Sequence, residues 1–206
     1  MSLYGFCHTT FPWLFKIWLR WEIFGKENIP QDGPVVIACN HLSLLDPPVL
    51  GAAATRKVHF MAKSELFKPA WFGALIRTLG AFPVKRGAMD REAIKTGLTV
   101  LRENKVLAVF PEGTRSKTGE LGRAGGGAFM MAVKQKAKIV PAYIYGTDTK
   151  RHPGWPKVRV IFGKPMEYDP NMGTGRDALD ALGARWREEV LVLRKAVALD
   201  NGNHSS

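Results

Sequence analysis

The sequence predicts a single α/β domain with a mainly parallel central sheet flanked by helices, preceded by an amphipathic membrane-interface helix. Three observations predict the domain. Its 206 residues suffice for one well-cored unit and are short for two. Short apolar runs of strand length alternate with stretches whose apolar residues recur at helical spacing. The run Pro34-Val35-Val36-Ile37-Ala38-Cys39 is apolar without a break, as a strand buried on both faces of a parallel sheet must be. No Gly- or Pro-rich linker divides the chain, and no segment repeats.

Residues 11–24 read FPWLFKIWLRWEIF. Phe11, Leu14, Phe15, Trp18 and Leu19 follow helical spacing, and Trp13, Ile17 and Trp21 carry the apolar surface around the cylinder. Lys16 and Arg20, one turn apart, form a single cationic stripe. A helix of about 14 residues is about 21 Å long, too short to cross about 30 Å of hydrocarbon. A basic, Trp-rich helix suits the headgroup boundary, the alternative being a helix packed on its own domain. The expected organisation is an interfacial helix over 1–24, the α/β domain over 25–199 and a flexible tail over 200–206.

After the 34–39 strand, Asp46-Pro47-Pro48 predicts a helix start, with Asp46 as the cap and proline in the first turn. Val49, Leu50 and Ala53 continue that helix. Strands are predicted over 58–61 and 81–84, with a helix over 71–79 between them. Asp90 caps a helix whose apolar face is Ile94, Leu98 and Leu101. A strand over 106–110 stops at Pro111, a helix covers 128–136, and strands follow over 139–145 and 158–162. The last helix carries Leu179, Leu182, Trp186, Val190, Leu193 and Val197 on one stripe.

Thirty Lys and Arg against eighteen Asp and Glu leave a net charge of +12, which favours anionic partners: nucleic acid, lipid headgroups, phosphorylated metabolites or an acidic carrier protein. The two cysteines form no CxxC pair, so a reducing setting is expected. The first residues lack the basic and small-residue features of a secretory signal. The histidines show no metal-ligand spacing, and Ser43 and Ser116 lack the setting of a hydrolase nucleophile.

The polar residues of interest follow predicted strands, whose carboxyl ends converge on one edge of a parallel sheet. Asn40-His41-Leu42-Ser43-Leu44-Leu45-Asp46 places a His and an Asp five apart. Five helical steps would separate them, but a turn brings them together. The carboxylate then fixes the imidazole tautomer and leaves the other ring nitrogen as a base; otherwise His41 is a loop residue and Asp46 only a cap. Phe82-Pro83-Val84-Lys85-Arg86-Gly87 and Phe110-Pro111-Glu112-Gly113-Thr114-Arg115-Ser116 each set cations beside glycine at a strand end. A guanidinium there can fork two donors to a phosphate, although either segment alone also reads as a solvated basic turn.

Together NHLSLLD, FPVKRG, FPEGTRS and IVPAYI resemble, in order and spacing, the four motifs of the glycerolipid acyltransferase family. The bacterial 1-acyl-sn-glycerol-3-phosphate acyltransferase branch is the most similar, over about residues 21–162. The resemblance implies that His41 takes the proton from an acceptor hydroxyl as it attacks an acyl thioester, with Asp46 orienting and charge-balancing the imidazole. It implies a phosphate cradle of Lys85, Arg86 and Arg115, shaped by Glu112, Gly113 and Thr114, with Pro141 on the acyl side. It implies no metal or organic cofactor. The donor would be acyl carrier protein or coenzyme A, the acceptor lysophosphatidic acid or another lysolipid. The place would be an anionic membrane surface, peripheral or monotopic on the cytoplasmic face of the cell membrane. Where the family commonly has an aromatic and a lysine, this chain has Ala124, Gly125 and Gly126. A basic membrane-binding module without catalysis is the rival; no nucleic-acid motif is present.

Overall fold

Five apolar residues, Val35–Cys39, form β2, every one of them buried. A strand with apolar side chains on both faces is stable only between two helical layers. The structure is a computed structural model that describes residues 10, 20–85, 90–148, 157–169 and 171–202, the side chains of 128 and 198–202 excepted. Around β2 lie β1 (Glu22–Phe24), β3 (Val58–Lys63), β4 (Ala81–Val84), β5 (Val106–Val109), β6 (Lys138–Tyr145) and β7 (Arg159–Phe162). Their order is β1-β7-β6-β2-β5-β3-β4, parallel throughout except for the β6–β7 pair.

Alternate side chains of the sheet divide the core in two. Val35, Ile37 and Cys39 point into the layer capped by α1 (Asp46–Ala53), with Val49, Leu50 and Ala53. Val36 and Ala38 point into the other, shared with α3 (Arg91–Arg102), α4 (Gly127–Lys134) and α5 (Arg176–Gly202). In α5, Trp186 is fully buried and its indole N–H donates to the Ala38 carbonyl at 2.9 Å, clamping that helix beneath the end of β2. α2 (Ala70–Thr78) lies outside, beside β4.

The strands and helices predicted from Pro34 onward are all present, most with ends moved by one or two residues. Asp90 caps α3 through bonds from Glu92 N and Ala93 N. The N-terminal helix needs correction at its end. Residues 1–9 and 11–19 lie outside the described residues, and with them Phe11, Trp13, Leu14, Phe15, Ile17 and Trp18, but Glu22–Phe24 is a strand, so no helix reaches Phe24. Tertiary pairing overrides the helical spacing there. Glu22 N donates to Val158 O at 2.9 Å, and its carboxylate bridges Arg159 Nε at 2.7 Å and Lys157 Nζ at 2.9 Å. Trp21 is half-buried against the α1-side core. At the other end α5 runs to Gly202, three residues into the stretch read as a tail. Among the described residues no helix is long and apolar enough to cross a membrane.

Candidate active site

Three neighbouring strands, β6, β2 and β5, end side by side, and the segments after them meet. Asn40 comes directly after β2. Its buried amide accepts from Ile144 N at 2.7 Å and donates to Ile144 O at 3.0 Å, so a side chain extends the β2–β6 ladder by one rung. That rung fixes where His41 leaves the sheet.

His41 is 5% exposed and stacks on Phe110, ring centroids 4.1 Å apart at 19°. Its Nδ1 lies 2.7 Å from Asp46 Oδ2. The same oxygen accepts from Leu42 N at 2.6 Å and Ser43 N at 2.7 Å, while Oδ1 accepts from Thr147 Oγ1 at 2.5 Å. A carboxylate oxygen that already takes two backbone N–H groups can only accept from the ring. Nδ1 therefore carries the proton, and Nε2 is the nitrogen left with a lone pair.

Asp46 thus pairs with His41 as the spacing allowed, but it departs from the helix-cap reading. It is the first residue of α1, and Leu45 holds the cap position. With Pro47 next, the helix has one N–H fewer to satisfy at its start, and the carboxylate turns back into the 41–43 loop. Thr147 reaches it from beyond β6 by way of Gly146, whose φ of +82° and closeness to Lys157 O exclude a side chain.

The segment after β5 braces the loop from the other side. Glu112 Oε1 accepts from His41 N at 3.0 Å and Oε2 from Gly122 N at 2.8 Å, and Ser116 N donates to His41 O at 2.8 Å. Glu112, expected to shape the phosphate cradle, holds backbone; with both oxygens so engaged, its negative charge braces the loop that carries His41. Gly113, at φ +71°, turns the chain, and Thr114 and Arg115 are exposed beside it.

Of the remaining predicted residues, Lys85 lies farther along the same edge. Lys85 is exposed at the end of β4, three strands from β2 and so about 14 Å away. Its backbone N–H donates to Asp90 at 2.7 Å, and that bond, followed by those from Ala93 and Glu92, holds the Asp90 carboxyl below the usual carboxylate range. Arg86 lies outside the described residues. Lys63, not singled out by the sequence, ends β3 between β5 and β4, its ammonium 3.3 Å from Glu65. A charged residue closing the apolar run Val58–Lys63 was the available signal.

Pro141 is not at this edge. It sits within β6, level with Ala38, buried near Gly163 on the α5 side of the sheet. Its carbonyl accepts from Gly163 N at 2.8 Å, and its missing N–H removes only the reciprocal bond of that last β6–β7 pair, at the end of the ladder. Cys39, buried in β2, has its thiol pushed well up by burial and then by the Asp46 and Glu112 charges, which removes it as a nucleophile. Among the described residues no three His, Cys, Asp or Glu side chains gather as a metal ligand set.

Residues 20–145, which carry the whole His41–Asp46–Glu112 arrangement, match the family model described as acyltransferase. The chain belongs to the acyltransferase family. This acyltransferase is 34% identical over 168 residues to the 1-acyl-sn-glycerol-3-phosphate acyltransferase of Bacillus subtilis (strain 168), covering 80% of the chain and 82% of that relative. A chloroplastic 1-acyl-sn-glycerol-3-phosphate acyltransferase of Arabidopsis thaliana is 32% identical over 73% of the chain, which spans about half (47%) of that longer relative. Among solved structures, the acyltransferase superposes on the crystal structure of the 1-acyl-sn-glycerophosphate (LPA) acyltransferase of Thermotoga maritima with a TM-score of 0.73 at 26% identity, covering 93% of this chain and 80% of that one. The overall fold is thus shared with a solved acyltransferase structure.

Proposed function

We propose that this acyltransferase moves a fatty acyl group from an acyl thioester to the free hydroxyl of 1-acyl-sn-glycerol 3-phosphate, giving phosphatidic acid. The observation that carries the reading is the His41 Nδ1 to Asp46 Oδ2 contact of 2.7 Å, with Asp46 fully buried and closed by three further donors. That arrangement leaves Nε2 as the one basic nitrogen. It takes the proton of the acceptor hydroxyl while the oxygen attacks the thioester carbonyl. The C–S bond then breaks, and the thiolate leaves with the proton that the imidazolium returns. No acyl-enzyme forms, and Asp46 stabilises the imidazolium that exists between the two proton transfers.

Arg115 stands one residue before Ser116, which bonds His41, so it is the cation best placed for the acceptor's phosphate. Lys63 and Lys85 add positive charge along the edge, and Arg86, next to Lys85 in the sequence, is proposed to join them. The Bacillus and Thermotoga relatives, named for this acceptor, support the same assignment. The donor is the acyl thioester of coenzyme A or acyl carrier protein. The site of action is the cytoplasmic face of the cell membrane, where the Trp-rich segment before Glu22 holds the protein without a crossing.

The test is phosphatidate formation by the purified protein from lysophosphatidate and each donor, alongside other lysolipids. Wild type acylates lysophosphatidate first, and His41→Ala, with an unchanged circular dichroism spectrum, makes no product. Turnover retained in His41→Ala sinks the base assignment. Preference for a lysolipid lacking the phosphomonoester sinks the acceptor assignment.

A further inference from the structure

A groove of about 530 Å³ opens beside Glu112 and Gly113, between the 123–126 loop and the first turns of α5. Its floor is bare backbone: Gly125 and Gly126 present no side chain, and Gly125 N is tied to Pro111 O at 2.7 Å. Pro111, Ala124 and Leu179 make its walls apolar. Arg123 and Arg176 line it too, 83% and 88% exposed, and both approach one oxygen of Asp180, at 3.3 and 3.9 Å. Two guanidiniums against one carboxylate leave a net positive charge, and planar forks with free donors suit a phosphate.

This cation pair is distinct from Lys63 and Lys85 on the sheet edge. Lys63 ends β3 and Lys85 follows β4, whereas the groove lies between the start of the segment after β5, Pro111 to Gly113, the 123–126 loop and the first turn of α5; Arg115 comes two residues after Gly113 in the chain. Glu112 joins the two regions, because it lines the groove and holds His41 N. A reaction between two phosphorylated substrates needs two anion sites with the base between them. Coenzyme A and acyl carrier protein share one element, a pantetheine arm with the thioester at one end and a phosphate at the other. A long, mostly uncharged arm ending in an anion matches an apolar-walled groove with paired guanidiniums.

We propose that this groove takes the phosphopantetheine arm of the acyl donor, with Arg123 and Arg176 holding its phosphate and the glycine floor letting the arm lie against backbone. The proposal rests on the acyl-thioester reading above. In the Arg123→Gln/Arg176→Gln double variant the donor KM rises about 5- to 10-fold, modest because both side chains are solvent-screened, and the acceptor KM stays put. Asp180→Asn, which removes the competing carboxylate, lowers the donor KM. An ion-pair staple would leave both KM values unmoved and destabilise all of these variants; a rise confined to the acceptor KM would hand the groove to the acceptor's phosphate. Either result overturns the proposal. Calorimetric binding of S-octanoyl phosphopantetheine against S-octanoyl pantetheine needs no turnover. Wild type prefers the phosphorylated probe and the double variant does not. Equal binding of both probes by wild type overturns the groove assignment even if lysophosphatidate is acylated. Phosphate preference in a protein that leaves lysophosphatidate untouched supports the groove and overturns the acceptor assignment instead.

Discussion

Replacing Asp46 with Asn exchanges one oxygen for nitrogen in a fully buried side chain, and the surrounding bonds decide which one. Oδ2 receives three donors, two of them backbone N–H groups of Leu42 and Ser43 that cannot turn away. The amide oxygen is therefore held at that position, and the NH2 group falls opposite Thr147, whose hydroxyl can rotate to accept. The ring keeps its tautomer, so the variant loses only the charge. Unit charges about 4 Å apart at an effective dielectric near 20 interact by about 4 kcal/mol. The amide dipole retains part of this, leaving a loss of about 2–3 kcal/mol, or about 30- to 150-fold in kcat. Steady-state kinetics with saturating donor reads it, and nitrogen NMR of the His41 ring reads the tautomer. A kcat within about twofold of wild type would refute the charge argument. A loss near 10⁴-fold, the scale of a wrong tautomer, would show that the amide had turned its NH2 toward the ring.

Glu112→Gln must set an NH2 group against either His41 N–H or Gly122 N–H, so its melting transition falls by the equivalent of about 1–3 kcal/mol; an unchanged melt would mean the brace is not formed. Arg115→Lys keeps charge but loses the fork, so the acceptor KM rises about 5- to 10-fold with the donor KM unmoved, and the effect shrinks with an unphosphorylated acceptor; equal losses would make Arg115 structural. The Asp90 carboxyl, held low first by the Lys85 N–H, contributes stability above the ordinary carboxylate range and loses it as pH falls through its depressed pKa. Paired melts of wild type and Asp90→Ala should differ at neutral pH and converge in strong acid, and a gap that persists there would refute the linkage.

The elements that could be read from the chain were those with a local cause. β2 and β5 are continuous apolar runs, β4 ends where Lys85 begins, and Asp90 caps the helix it precedes. The candidate site was legible in part. His41 and Asp46 lie five apart, but a capping Asp and one that orients a base look alike until its acceptors are located. The decisive donors come from far along the chain: Thr147 is 101 residues from Asp46, and the Ile144 backbone that fixes Asn40 is 104 residues away. No spacing rule connects them. Glu112 was read as shaping the cations' site, and its partners, backbone N–H groups 71 and 10 residues away, could not be located from spacing. β1 was hidden inside an apolar run whose spacing fits a helix; its pairing with β7 and the buried Arg159, 137 residues away, draw Glu22 into the sheet.

β1 has one more consequence. Because β7 alone runs antiparallel to β6, and β1 runs with β7, Glu22 stands level with Arg159 and hence with Tyr145, at the end of β6 from which Thr147 departs. The chain ahead of Glu22 therefore leaves the domain on the rim that bears His41, not on the opposite one. Whatever grips that segment pulls on the reactive rim, and the Glu22 ion pairs with Arg159 and Lys157 bear the load. A body held at one rim keeps that rim toward its support while remaining free to drift sideways. Under the proposed membrane attachment, its encounters with acceptors in the same plane become a search in two dimensions, already correctly oriented, and a water-borne donor has to arrive from bulk solution.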